Sequence, residues 1–308
     1  MKTRCFKEVW DMKHKKITVY EIVIYAVLIA MSVAAVFPFL LMFSSSFCSE
    51  QSLLKYGYTL FPKEVSFEAY RYLLSNFSTI FRAYGTTIFV TVFGTVVGTS
   101  CVMLLAYPLS IQGMPGRKFI NFLVYFTMLF NGGIVPTYML YSNYLHMKNT
   151  IWALIIPNLL MRAYYIILAR SFFQTNIPSE IVEAARVDGA SEYKIFFSIV
   201  RPMSTPIIAT IALMQGLAYW NDWTNGLYYV TNRELYSIQQ LLNQMINDIK
   251  AVQSSAFDTI MASVDMSNLP STAVRMAIAI VAVLPVMAAY PFFQKYFIKG
   301  LTLGAVKG

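Results

Sequence analysis

EAARVDGASEYKIFFSIVRP, residues 183–202, lies between two long apolar segments and combines charge with small side chains. Just upstream, Pro178 suits the first turn of a helix, and Ile181, Ala184, Ala185 and Val187 make a short apolar stripe at helical spacing. Gly189 interrupts that stripe where a tight bend is needed. A second short helix then carries Tyr193, Phe196 and Phe197 to Pro202. With Glu183 and Asp188 on the polar side, the pattern predicts a helix–Gly–helix element at a membrane surface that docks another protein. A plain amphipathic loop is the alternative.

The rest of the chain supplies the membrane. Its 308 residues are 57% hydrophobic and 13% charged, with a mean hydropathy of +0.55, far from soluble averages. Six apolar windows, at 20–43, 80–107, 118–141, 150–173, 203–224 and 272–294, each approach the roughly 20 residues that cross the hydrocarbon. Lipid offers no partner for backbone polar groups, so these windows are expected to be helices. They are continuous rather than alternating, which argues against a β-barrel. The first window is too long for a signal-peptide core and continues past Ala34-Ala35 to Phe43, so it reads as a retained span.

A net charge of +9 raises the question of nucleic acid, and topology answers it without one. With both termini inside, fifteen of the 24 Lys and Arg fall on the inner side and seven on the outer, while Arg162 and Arg275 lie within spans. This bias follows the positive-inside rule and puts the 183–202 element in the cytoplasm. The expected organisation is a basic N-terminal segment at 1–19, a six-helix domain at 20–294 and a cytoplasmic tail at 295–308. The domain includes a cytoplasmic loop at 174–202 and outer loops at 44–79 and 225–271.

Cys5, Cys48 and Cys101 are scattered over the topology and make neither a disulfide framework nor a metal cluster. His14 and His146 are isolated. The sequence has no P-loop, GxSxG or HExxH pattern, so no catalytic residue is expected, and any ATP hydrolysis falls to a partner.

The 183–202 stretch resembles the EAA loop of ABC-importer permeases, whose pattern is Glu-Ala-Ala, three residues, Gly, nine residues, Ile and a Pro three further on. Glu183, Ala184, Ala185, Gly189, Ile199 and Pro202 fill it in register, and Arg201 departs from it where an apolar residue usually stands. WNDW at 220–223, FNGGIVPTYMLY at 130–141 and the Gly-rich basic end from Tyr290 extend the likeness to the carbohydrate-uptake permeases of the maltose type, G-subunit half, and within them to the LplC-like group. The resemblance implies an all-α membrane protein with the six transmembrane helices of the type I ABC importer permease fold. It implies a bacterial cytoplasmic membrane, a second and unlike permease, ABC ATPase subunits that hold ATP and Mg, and an extracellular solute-binding protein. The implied substrate is an oligosaccharide from a complex polysaccharide. A non-sugar ABC importer and a secondary transporter are the rival readings. The residues expected to couple to the ATPase are Glu183, Ala184, Ala185, Asp188, Gly189, Phe196, Phe197 and Pro202, with Asp188 either touching the partner or bracing the bend.

The substrate path is sought on the fifth window, where Gln215, Tyr219 and Asp222 share a helical face flanked by Trp220 and Trp223. Sugar contact and an interfacial aromatic belt are both open for the two tryptophans. Thr127, Asn131 and Tyr138 form a similar stripe on the third window. Arg162, near the middle of the fourth, is an expensive intramembrane charge. It points to an acidic ligand, to the partner permease or to a shorter span. Beyond the fifth window, Leu235, Ile238, Leu241, Leu242, Met245 and Ile249 predict an amphipathic helix over the outer mouth.

Overall fold

The computed structural model describes residues 19–157, 159–259 and 272–305. Cys5, His14, most of the basic N-terminal segment and residues 260–271 of the expected outer loop lie outside the described residues. Among those described, every regular element is helical, and Cys48 and Val65 form an isolated bridge. In chain order the helices are α1 (Val19–Ser45), α2 (Glu50–Tyr56), α3 (Glu68–Ser75), α4 (Phe77–Ser110), α5 (Arg117–Leu129), α6 (Ile134–Met139) and α7 (Trp152–Ile155). They continue with α8 (Ala163–Asn176), α9 (Ser179–Val187), α10 (Glu192–Ile195), α11 (Thr205–Trp220), α12 (Thr224–Tyr229), α13 (Ile238–Thr259) and α14 (Thr272–Ala305).

The six expected windows are all occupied by helix, but not as six uninterrupted rods. Only α1 and α4 are long and apolar enough, among the described residues, to cross a membrane unaided; α5 with the α6 segment to Tyr144, bent by 115°, and Glu192–Met203 with α11, bent by 81°, are the broken candidates. The 118–141 window breaks at Phe130–Gly133, and the 150–173 window at 156–162. Helix α14 continues to Ala305, so the tail expected beyond the last helix is itself mostly helical. Helix α13 buries Ile238, Leu241, Leu242 and Met245 of the expected apolar face, while Leu235 lies in the turn before it.

Contacts divide the described residues into two units, 19–70 with 272–277 and 71–259 with 278–305. In the first, α1 is apolar on all sides and exposes nearly all its large side chains, as a lipid-facing helix does. Ser49 caps α2, accepting from Ser52 N at 3.2 Å, and its hydroxyl donates to Glu64 at 2.8 Å. Glu50 accepts from Thr272 N at 2.9 Å and Thr272 Oγ1 at 3.3 Å, which places a carboxylate at the positive start of α14. Phe47 stacks on Tyr70 and meets Phe43 and Phe67 edge-on.

The second unit is organised on α4. Gly94 and Gly98, four apart and so on one face, let α11 approach closely. A Cβ at Gly94 would lie 2.4 Å from the Tyr219 ring, and one at Gly98 would lie 1.8 Å from Gln215 Nε2 and 2.7 Å from Leu160 O. This is the small-xxx-small contact of membrane helices. The two side chains seated there serve the break at 156–162, where Pro157 has no N–H to give and the freed carbonyls need donors. Tyr219 Oη donates to Ile155 O at 2.9 Å, and Gln215 Nε2 lies 3.2 Å from both Leu159 O and Leu160 O. Asn225 Nδ2 donates to Pro157 O at 3.0 Å, and Thr99 donates to Gln215 Oε1 at 3.3 Å.

Gly98→Ala is expected to destabilise the permease by about 1–3 kcal/mol through overpacking. Gly85→Ala, on the same helix with nothing within 4 Å of the new methyl, should be neutral or slightly stabilising. Thermal unfolding of the two purified variants in detergent checks the difference; equal midpoints would refute the seat.

Candidate functional site: the helix–Gly–helix loop

The 183–202 element forms as its spacing predicts. Helix α9 ends because Gly189 takes a left-handed φ of +76°. Its N–H donates to Arg186 O and Ala190 N–H to Ala185 O, both at 3.0 Å, which is a Schellman closure. The bonds that close the bend are therefore main-chain ones rather than bonds to the Asp188 carboxylate. Ser191 then caps α10, accepting from Lys194 N at 3.4 Å. Helix α10 continues through a π-helical turn at Phe196–Val200 and the short Arg201–Met203 helix. Ser204 marks the sharp junction with α11, its hydroxyl donating to Val200 O at 2.6 Å.

A brace spans the bend. Arg186 Nε meets Glu192 Oε1 at 2.7 Å, and the hydroxyl of Tyr107, near the end of α4, donates to Glu192 Oε2 at 3.0 Å. The hydrogen bond from Arg186 holds the Glu192 carboxyl below its ordinary value, assisted by Tyr107 and opposed by partial burial. The same bond raises Arg186. Sequence reasoning passed over all three residues. The signal was a cation and an anion six apart across the glycine, and nothing in the sequence could add Tyr107 from 85 positions away.

The loop has an inner and an outer side. Ile195, Phe196 and Val200 are buried with Val102, Ala106 and Leu109 of α4 and with residues of α8. Phe196, expected to face the ATPase, is instead an anchor, with its ring 5.4 Å from that of Tyr107. Glu183, Ala184, Asp188, Gly189, Phe197 and Pro202 are exposed and Ala185 is half-buried. The apolar Val187 and Tyr193 are 88% and 77% exposed, which marks this side for cover. Two grooves flank the brace. One, of about 930 Å³, has polar walls including Gln174, Ser179, Glu180 and Glu183; the other, of about 660 Å³, is lined by Leu104, Pro108, Met114 and Tyr193. Tyr107 and Arg186 form a wall of each.

The expected substrate stripe is differently placed. Gln215 and Tyr219 are interior, with their donor atoms given to main-chain carbonyls of Ile155, Leu159 and Leu160, because a break in a span must be satisfied from within. Trp220 is buried too, its Nε1 donating to Ala282 O at 3.4 Å, whereas Trp223 stays partly exposed. Asp222 Oδ1 accepts from Thr224 N at 3.2 Å and Asn225 N at 3.3 Å at the start of α12. Arg162 is at the N-cap position of α8, not mid-helix. Asn131 and Tyr138 belong to the other break: Asn131 Oδ1 accepts from Gly133 N at 2.9 Å, and Tyr138 stacks on Tyr229 at 5.7 Å.

The Arg186–Glu192 tie carries a pH signature. A carboxyl lowered in the folded state stabilises the loop above its ordinary value of 4.5 and loses that contribution as pH falls through its folded value. Amide exchange at residues 190–195, corrected for intrinsic rates, should therefore stay slow down to pH 4.5 and quicken only below it. Glu192→Gln should abolish the step; a step that survives in that variant belongs to another group.

The family model described as binding-protein-dependent transport system inner membrane component matches residues 18–303. The chain is similar to the polygalacturonan/rhamnogalacturonan transport system permease protein YtcP of Bacillus subtilis (strain 168), with 37% identity over 295 residues, 94% of this chain and 98% of that one. It is equally similar to Protein LplC of the same organism, 37% over 275 residues, 89% and 90% of the two chains. Among solved structures it resembles a chain of a bacterial ABC transporter involved in import of the acidic polysaccharide alginate. That match has a TM-score of 0.76 and 30% identity, and covers 91% of this chain and 96% of the other.

Proposed function

This chain belongs to the family of binding-protein-dependent transport system inner membrane components, and from that premise we propose that it forms half of the membrane pathway of an ATP-driven oligosaccharide importer. The family has the type I permease fold and works with ATPase subunits and a solute-binding protein. The finer reading is that a second, unlike permease completes the pathway and that the 174–202 loop seats in the cytoplasmic ATPase. Both termini are then cytoplasmic, and ATP and Mg are held by the partner. The observation that carries the reading is the braced loop itself, a rigid bend with apolar Val187 and Tyr193 turned outward beside Glu183 and Ala184. Small residues at 184, 185 and 189 keep its profile low enough to enter a groove. An exposed ion pair from Glu183 would contribute about 0.2–1 kcal/mol, so the fit of the surface matters more than any single charge.

The oligosaccharide substrate is supported by the names of the relatives, two of which refer to polygalacturonan and to the acidic polysaccharide alginate. Arg162 adds nothing to an acidic-ligand reading. A cation at a helix N-terminus is unfavourable, and Arg162 stands at the N-cap of α8, where the 156–162 break ends. We therefore assign Arg162 to bracing the 156–162 break. Arg162→Met should lower the yield of assembled transporter and leave the preference between acidic and neutral oligosaccharides unchanged; normal yield with selective loss of acidic-sugar uptake would restore the ligand role.

Two measurements in liposomes test the main proposal. The chain alone should move no sugar, with or without ATP; uptake without an ATPase would overturn it. Within the complete transporter, Gly189→Val forces a β-branched residue to a left-handed φ at about 1–2 kcal/mol. The seated loop should be depopulated roughly five- to thirtyfold, and substrate-stimulated ATP hydrolysis should fall while the membrane halves still assemble. Unchanged stimulation would refute the coupling role.

A further inference from the structure

The loop is joined through the main chain to α8 and α11, yet its junction with α11 is the 81° bend at Ser204, a poor path for force. Its side-chain anchors go elsewhere. Ile195, Phe196 and Val200 pack on α4 and α8, and the polar tie runs from Glu192 to Tyr107. The same α4 carries, nine and thirteen residues back, Gly98 and Gly94. At about 1.5 Å per residue these lie roughly 14 and 20 Å along the rod. There the close seat of Gln215 and Tyr219 holds the broken segment at 156–162. Helix α4 is 34 residues long, and its Pro108 cannot donate to Leu104 O, so the regular rod runs from Gly94 to about Leu104 and the turn carrying Tyr107 lacks one bond. That turn is tied to the rod by packing, since Val102, Met103, Ala106 and Tyr107 are buried in one cluster.

We propose that Tyr107, Glu192 and Arg186 form a clasp that passes displacement of the coupling loop into α4, and through α4 to the 156–162 break. Tyr107 is a positioning residue in this scheme. Its ring packs on Phe173 and Phe196, and its hydroxyl donates to the carboxylate that Arg186 fixes from the far side of the bend. Because Tyr107 and Arg186 wall both flanking grooves, opening the clasp would also merge the polar groove with the apolar one and alter the surface offered to the ATPase.

This inference rests on the loop being the coupling element, and the experiment keeps the two apart. The transporter is reconstituted with its ATPase and binding protein, and uptake per ATP hydrolysed is measured for Tyr107→Phe, Glu192→Gln, their double variant and Gly189→Val. Tyr107→Phe keeps the ring and removes one hydrogen bond to a carboxylate. Uptake per ATP should fall about two- to tenfold with assembled complex in normal yield, and the double variant should be little worse than Glu192→Gln alone. If Gly189→Val uncouples and Tyr107→Phe does not, the clasp is overturned and the loop reading stands. If neither uncouples, both fall. Additive losses in the double variant, or losses that track complex yield, would make Tyr107 a packing residue and overturn the clasp.

Discussion

A helix interrupted inside a membrane needs donors for the carbonyls it releases, and lipid has none. In this chain the need arises at 156–162, and among the described residues it is met from α11 and from Asn225 of α12, which donates to Pro157 O. Gln215 and Tyr219 of α11 give their donors to Ile155, Leu159 and Leu160. They reach those atoms only because Gly94 and Gly98 on α4 leave room for them. The contact is directional as well as close. Gln215 also accepts from Thr99, so three elements are fixed in register by one buried amide. Substituting either glycine disturbs the donors and the break together, which is why the rest of the second unit depends on this seat.

The helix–Gly–helix loop is attached to the same rod at its other end. The two regions use opposite physics on one helix. At Gly94 and Gly98 the helix is stripped of side chains so that a partner can come close. At Tyr107 it projects a large amphipathic side chain whose ring is buried and whose hydroxyl stays available to a carboxylate. A charged brace beside water costs little to form or release, whereas the buried amide is expensive to unpair. One end of α4 is thus adjustable and the other is held, an arrangement suited to turning a small motion at the loop into a change at the break.

Much of this was legible in the sequence. Composition and window length gave helices in a membrane, the Gly189 bend and both short flanking helices followed from spacing, and the amphipathic run from Ile238 is the buried face of α13. The breaks were less legible, because Gly132, Gly133 and Pro157 weaken a helix without saying by how much it bends. Periodicity misassigned Gln215 and Tyr219 for a physical reason. A polar stripe on an apolar helix marks a face that needs polar partners, and a water-lined path and a broken backbone both provide them. GTVVG at 94–98 was the signal that separates the two, since close-approach glycines facing such a stripe mean protein and not water. Arg186, Glu192 and Tyr107 were hidden because their tie joins residues far apart in sequence.

Glu50 and Thr272 are 222 residues apart in the chain, yet they share the hydrogen bonds that start α14. At ribosomal rates of about 5–20 residues per second, the partner of Glu50 emerges roughly 10–45 seconds after Glu50 itself. The earliest-made unit therefore cannot be finished until the last helix is made. Until then the carboxylate of Glu50 lacks the Thr272 donors that it accepts from in the finished fold. A product that stops before Thr272 keeps that carboxylate without those bonds, so the first unit closes only when synthesis is nearly complete.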